Sequence, residues 1–213
     1  MITMNWVDAV LLAVLIAMVV VGSKKGLVRE LMAFFTFIAA LIFSIRYIDQ
    51  IAIKVHEELG GSTMASAFIS FILLMATAYA LFKLLGLVFY KIANLQAMGR
   101  RDRLGGALVG VLRGWVALSL LVFLTFLIPM PDRYFQEFRE SALGPTLART
   151  LPALYEITSP IHPKDTSFMA KVEAMLLYRI DKSDMSPALR AEMDENRRQA
   201  YRTIYRLDSI LVR

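Results

Sequence analysis

Four long runs of apolar residues occupy most of the first 130 positions, with charges concentrated near their ends. The runs are roughly Asn5–Gly22, Gly26–Ile45, Met64–Tyr90 and Leu104–Ile128. A membrane-spanning helix needs about 20 mostly apolar residues, and each run is near or above that length. The pattern predicts an all-α, polytopic integral membrane protein with four transmembrane helices in residues 1–130. A buried soluble hairpin is the alternative interpretation of the first two runs.

The pattern changes after the fourth run, where shorter helical segments and prolines follow. "PMPD" at 129–132 breaks the run, and prolines at 145, 152, 160, 163 and 187 divide the pieces beyond it. A helix is predicted from Pro187 to about Val212. Its apolar stripe could pack on 168–178 or receive a partner helix. Residues 131–213 are therefore predicted to form a helical C-terminal tail.

Composition supports a membrane protein. The chain of 213 residues is 57% hydrophobic, whereas a soluble domain is about 45 to 50% apolar. It contains no cysteine, which excludes disulfides and thiol chemistry and leaves the compartment open on redox grounds.

The positive charges predict an orientation. The connections between the apolar runs differ in basic residues. The first and third carry seven, namely Lys24, Lys25, Arg29, Lys91, Arg100, Arg101 and Arg103, whereas the second carries two, Arg46 and Lys54. The more basic connections are expected in the cytoplasm. Both termini and the tail would then be periplasmic, in a bacterial inner membrane. The basic side would also attract anionic lipid headgroups.

Arg113 is an unexpected charge inside the fourth run. Gly106, Gly110 and Gly114 repeat every four residues, a spacing that lets two helix backbones approach closely. Arg113 falls about 20° from Gly106 on a helical wheel, so it is predicted to face a neighbouring helix. The alternative is a side chain that extends along the helix to the cytoplasmic surface.

A buried guanidinium needs an acidic partner. Glu30 and Asp102 are the candidates for Arg113, and Glu30 is favoured because Asp102 can reach water. At the opposite surface Asp8 begins the first span and Arg46 ends the second, which predicts a second, structural pair.

Other polar residues in the third span have two interpretations. Lys83 is interpreted as a cation that extends toward the membrane surface. Ser66, Ser70 and Thr77 lie within about 40° of one another on a helix. This stripe could bond neighbouring helices, the favoured use, or line an aqueous path.

Several of these segments resemble one known family. "DRLGGALVGVLRG" at Asp102–Gly114 resembles the signature of the colicin V production protein (CvpA) family, with its Asp-Arg, spaced glycines and Arg-Gly. "NWVDAVLLAVL" at Asn5–Leu15 is similar to the family's opening, and "GSKKGLVREL" at Gly22–Leu31 to its first turn. "ESALGPTL" at Glu140–Leu147 resembles the end of the family domain, although the tryptophan that commonly precedes the serine is missing here. The resemblance covers about residues 5–147.

The resemblance implies a set of motif positions and a cellular role. The positions are Asp8, Gly22, Gly26, Arg29, Glu30, Asp102, Arg103 and Arg113, beside the packing glycines Gly106, Gly110 and Gly114. The implied role is that of a polytopic inner-membrane protein needed for colicin V export and linked to envelope homeostasis, with an unsettled biochemical activity.

Enzyme signatures are missing from the sequence. It has no GxxxxGK, HExxH or GxSxG, and His56 and His162 lie in different connections. We therefore expect no catalysis, metal, cofactor or nucleic-acid partner. The predicted function is a scaffold that oligomerises or binds a partner membrane protein. The alternative is a small channel or transporter subunit that uses the intramembrane charges.

Overall fold

The fold is seen in a computed structural model that describes residues 5–93, 99–128, 130–158, 167–177 and 187–211. Across these ranges the chain forms eight α-helices and no strand, which confirms the all-α fold. They are α1 (Trp6–Lys25), α2 (Leu27–Leu59), α3 (Thr63–Ala93), α4 (Arg100–Phe126), α5 (Asp132–Glu140), α6 (Gly144–Ile157), α7 (Phe168–Leu177) and α8 (Pro187–Leu211). The first four are long and apolar enough to cross a membrane.

The second helix is longer than predicted. It continues past Ile45 to Leu59, so Arg46 and Lys54 lie on a helix and the predicted loop is wrong. The extension keeps a helical spacing of buried apolar residues, including Ile48 and Ala52, and it contains no glycine or proline that would end it. The chain turns only at Gly60 and Gly61, both of which have positive φ.

The four long helices pack in the spatial order α1, α4, α2, α3. Helices α1 and α2 share a tight turn at Gly26 and diverge from it, so α4 lies between them. In the most apolar window of α4, 56% of the residues are buried, against 17 to 28% in the other three long helices. The fourth helix is thus the centre of the bundle.

The tail folds back on the bundle. Helix α6 packs on α4, α7 on α2, and α8 on α6, α7 and α3. Phe123 of α4 has its ring centroid 5.3 Å from that of Phe168 of α7, so one apolar core runs through both parts. Pro152 lies inside α6 and does not divide it, contrary to the prediction. The "SPIHPKD" linker predicted at 159–165 falls outside the described residues.

Candidate functional site

The turn between α1 and α2 is closed by a residue from α4. Gly26 has φ 81°, a left-handed conformation that favours glycine. The carboxylate of Asp102 lies against Gly26 where a Cβ would be, and its Oδ1 accepts the backbone N–H of Leu27 at 3.0 Å. Asp102 therefore caps the N-terminus of α2, where a negative charge is favourable.

The spaced glycines of α4 lie against α1. A Cβ placed on Gly106 would lie 2.7 Å from the carbonyl carbon of Gly26, and one on Gly110 would lie 2.7 Å from the carbonyl oxygen of Met18. A Cβ on Gly22 would in turn meet the Cα of Gly110 at 3.0 Å. The two backbones thus touch without intervening side chains, which is the packing that small-xxx-small spacing permits.

Arg113 forms the expected ion pair with Glu30. Arg113 Nε lies 2.6 Å from Glu30 Oε1, and Lys25 Nζ lies 3.8 Å from Glu30 Oε2. The Glu30 side chain is fully buried and that of Arg113 is 13% exposed. Among the described residues, neither Glu30 carboxylate oxygen has a further hydrogen-bond partner. Opposite charge alone therefore compensates the buried carboxylate.

Asp8 is held by backbone amides and not by Arg46. Its carboxylate accepts the N–H groups of Asn5, Ala142 and Leu143 at 3.2, 3.0 and 2.9 Å. Arg46 instead has its guanidinium carbon 5.4 Å from the ring centroid of Tyr47. The predicted ion pair is wrong because the turn just before α6 lies against Asp8, and the N–H groups of that turn need an acceptor.

Ser119 joins the middle of α6 to the centre of the bundle. Its hydroxyl donates to the carbonyl of Leu147 at 2.6 Å and accepts the N–H of Leu151 at 2.8 Å. Nearby, Trp115 Nε1 donates to Thr150 Oγ1 at 2.9 Å. Sequence reasoning missed Ser119, and the signal that could have found it is a lone polar residue on an otherwise apolar face of α4.

The polar stripe of α3 does not keep to one environment. Ser66 and Ser70 are buried, and Ser66 Oγ lies 3.4 Å from His56 Nδ1 on α2. Thr77 is exposed on the apolar outside of the helix. Ser66 thus bonds a neighbouring helix, as the favoured interpretation expected, whereas Ser70 Oγ is buried without a hydrogen-bond partner among the described residues.

A polar cluster ties α5 to the start of α1. Trp6 Nε1 donates to the carboxylate of Glu137, and Asn5 Nδ2 donates to the Glu137 carbonyl at 2.6 Å. Hydrogen bonds from Trp6 and then Arg133 hold the pKa of the Glu137 carboxyl below its usual value. Glu137, at the end of the bundle where α1 begins, is therefore an acid whose protonation can change with the pH of the surrounding water.

The remaining motif residues are at the surface. Arg29 and Arg103 are exposed near the Gly26 turn. Within the ranges that the structure describes, no three acidic or histidine side chains lie close enough together to hold a metal ion. Asp8, Glu30, Asp102 and Arg113 thus assemble into contacts between segments of the chain, whereas Arg29 and Arg103 face outward.

A comparison with known proteins gives one finding that agrees with this geometry. The family model described as colicin V production protein matches residues 7–152, which is more than half of the chain. No curated protein and no solved structure matches the sequence.

Proposed function

The chain belongs to the colicin V production protein family, and from this premise we propose that it acts without catalysis, as a scaffold in a bacterial inner membrane. It would bind a second copy or a partner membrane protein and serve export or envelope homeostasis. One observation carries the proposal: the motif charges Asp8, Glu30, Asp102 and Arg113 engage other segments of the same chain. Asp8 and Asp102 accept backbone N–H groups, and Glu30 pairs with Arg113.

The apolar outside of the bundle supplies the binding surface in this proposal. Helices α1, α3 and α4 each present large apolar side chains outward, among them Ile16, Leu84 and Leu108, which are 62, 62 and 69% exposed. In a membrane these faces contact either lipid or another protein. Helix association there depends on packing, because lipid tails are as apolar as leucine.

Cysteine crosslinking tests the scaffold, since the native chain has no cysteine. Ile16→Cys, Leu84→Cys and Leu108→Cys would be treated with a thiol crosslinker in intact membranes, and the products identified by mass spectrometry. We expect one face to give a discrete dimer or a discrete heterologous adduct while the other two do not. Ala40→Cys, at a buried position of α2, is the control that should give no product.

One observation favours a small channel or transporter as the second candidate. Glu30 and Arg113 place two charges inside the apolar bundle, with Lys25 3.8 Å from the same carboxylate, and intramembrane charges commonly mark ion or proton pathways. Purified protein in sealed vesicles would be assayed for proton and ion flux. Protein-dependent flux that Glu30→Gln abolishes, together with the lack of any face-specific crosslink, would replace the scaffold by a channel.

The proposed orientation has its own test. The more basic end would be cytoplasmic, with both termini outside. A membrane-impermeant thiol reagent added to cells with a permeabilised outer membrane should label Ser62→Cys and Ser167→Cys but not Gly99→Cys. Labelling of Gly99→Cys alone would reverse the orientation.

A further inference from the structure

A groove runs between α2 and α3 near the Gly26 turn. It encloses about 510 Å³, within the range of small-molecule sites. Its apolar wall includes Met32, Ala33 and Leu87. Gly86 leaves the floor open, because an added Cβ there would have one neighbour within 4 Å, Thr36 Oγ1 at 3.7 Å. The groove can therefore hold an extended apolar group without moving a helix.

Three cations line the same groove. Lys25 and Arg29 come from the ends of α1 and α2 that meet at Gly26, and Lys83 comes from α3. All three side chains are exposed, and no acid of the described ranges lines the groove; Glu30, 3.8 Å from Lys25, is fully buried and already paired with Arg113. One part of the groove is therefore positively charged, and the rest of its lining is mostly apolar.

The position of Lys83 sharpens the chemistry. It is exposed within Thr63–Leu87, the part of α3 that is apolar enough to span a membrane. A lysine within a membrane span is unfavourable unless its charge reaches the surface or an anion, and Lys83 lies only four residues from the end of this segment. An anion bound in the groove would compensate the positive charge of Lys83 together with that of Lys25 and Arg29.

We propose that this groove binds an anionic phospholipid. Its phosphate would lie among Lys25, Arg29 and Lys83, and one acyl chain would follow the apolar wall past Gly86. The charge complementarity selects a lipid with net negative charge, because a zwitterionic headgroup would bring a second cation to three that are already there. The groove opens on the apolar outside of the bundle, where such lipids are available. This inference is independent of the scaffold proposal.

Native mass spectrometry of the full-length protein in detergent tests the headgroup. Dioleoylphosphatidylglycerol and dioleoylphosphatidylcholine would be titrated separately. We expect tighter binding of phosphatidylglycerol, and a loss of roughly fivefold for each lysine removed in Lys25→Met and Lys83→Met. Lys24→Met is the matched control, because it removes the same charge from the neighbouring exposed position outside the groove. It should change affinity less than twofold.

A steric variant tests the acyl chain. Gly86→Leu fills the groove and keeps every charge, so it should weaken phosphatidylglycerol binding at least fivefold while inorganic phosphate gives no thermal stabilisation. Circular dichroism would establish that each variant is folded. Equal binding of the two lipids, equal effects of Lys83→Met and Lys24→Met, or phosphate stabilisation with no effect of Gly86→Leu would overturn the proposal.

Discussion

The two halves of α4 are packed by opposite means. From Gly106 to Gly114 the glycines of α4 have no side chain, so its backbone contacts the backbone of α1 directly. In the same half, Arg113 forms an ion pair with Glu30 of α2. From Leu118 to Phe126 it meets its neighbours through large apolar side chains that fill the space. Packing of the first half therefore depends on individual backbone contacts and one ion pair, and packing of the second half depends on the volume of its apolar side chains.

This difference predicts unequal tolerance to substitution. An added methyl group would meet backbone atoms at the glycine contact, and the only other cation near Glu30 among the described residues, Lys25, is 3.8 Å away and exposed. An apolar core accepts exchanges that conserve volume at a cost usually below about 1.5 kcal/mol. Ser119 is the exception in the second half, because a single hydroxyl there bonds to the backbone of α6.

The largest effect is expected at the buried ion pair. Glu30→Gln and Arg113→Met should each lower the free energy of unfolding by about 3 to 5 kcal/mol, because each leaves the other charge buried without its partner. The double variant should recover part of the loss, measured by unfolding in detergent. Losses that simply add would show that the two charges do not stabilise one another. Arg198→Met, in an exposed pair with Glu195, is the control and should cost less than about 1 kcal/mol.

The next effect is expected at the glycine contact. Gly106→Ala should destabilise by about 1 to 3 kcal/mol, because the new methyl group meets the backbone of α1. The same substitution at Gly86 meets only ordinary contact and gains helix propensity, so it should be neutral or stabilising. Leu118→Met probes the volume-packed half and should cost less than about 1.5 kcal/mol. Equal losses in Gly106→Ala and Leu118→Met would remove the distinction between the halves.

A smaller effect is expected at the exception in the second half. Ser119→Ala should cost roughly 1 kcal/mol and loosen α6, because the hydroxyl bridges two backbone groups of that helix. Hydrogen exchange at Leu147 to Leu151 would measure the loosening. Ser44→Ala is matched in burial, but its hydroxyl bonds within its own helix to Ala40, so exchange in α6 should stay unchanged. Faster exchange in both variants would assign the effect to general instability.

The smallest effect is expected at the surface near Asp8, where the fold meets water. The lowered pKa of Glu137 means that its bond to Trp6 contributes stability above the usual carboxyl pKa and loses it as pH falls through the lower folded value. In a Trp115→Phe background, Trp6 fluorescence should therefore change below the usual carboxyl range. Glu137→Gln should abolish this titration. A change centred on or above the ordinary carboxyl value would contradict the direction of the shift.

The four long helices and the Glu30–Arg113 pair were predictable because local rules govern them. Apolar length marks a membrane helix, and a charge within one requires an opposite charge at a similar depth. The partners of Asp8 and the role of Ser119 were not predictable from the same rules, whereas the extension of α2 continues the helical spacing of its buried apolar residues and was missed. Asp8 bonds to backbone groups 134 and 135 residues later, and Ser119 bonds to backbone groups of α6 that are 28 and 32 residues later. Such contacts leave no periodic signal in the sequence.

The partnership of Asp8 with the start of α6 sets an order of assembly. A ribosome completes Asp8 134 residues before Ala142, whose N–H the carboxylate accepts. At about 5 to 20 residues per second, roughly 7 to 27 s separate the two ends of that hydrogen bond. By the end of this interval the first four helices have been made, whereas α6 has not. The contact between Asp8 and the turn before α6 therefore forms only when the last segment of the family domain has been synthesised. A nascent chain released before residue 142 would lack the two amides that donate to the Asp8 carboxylate from that turn.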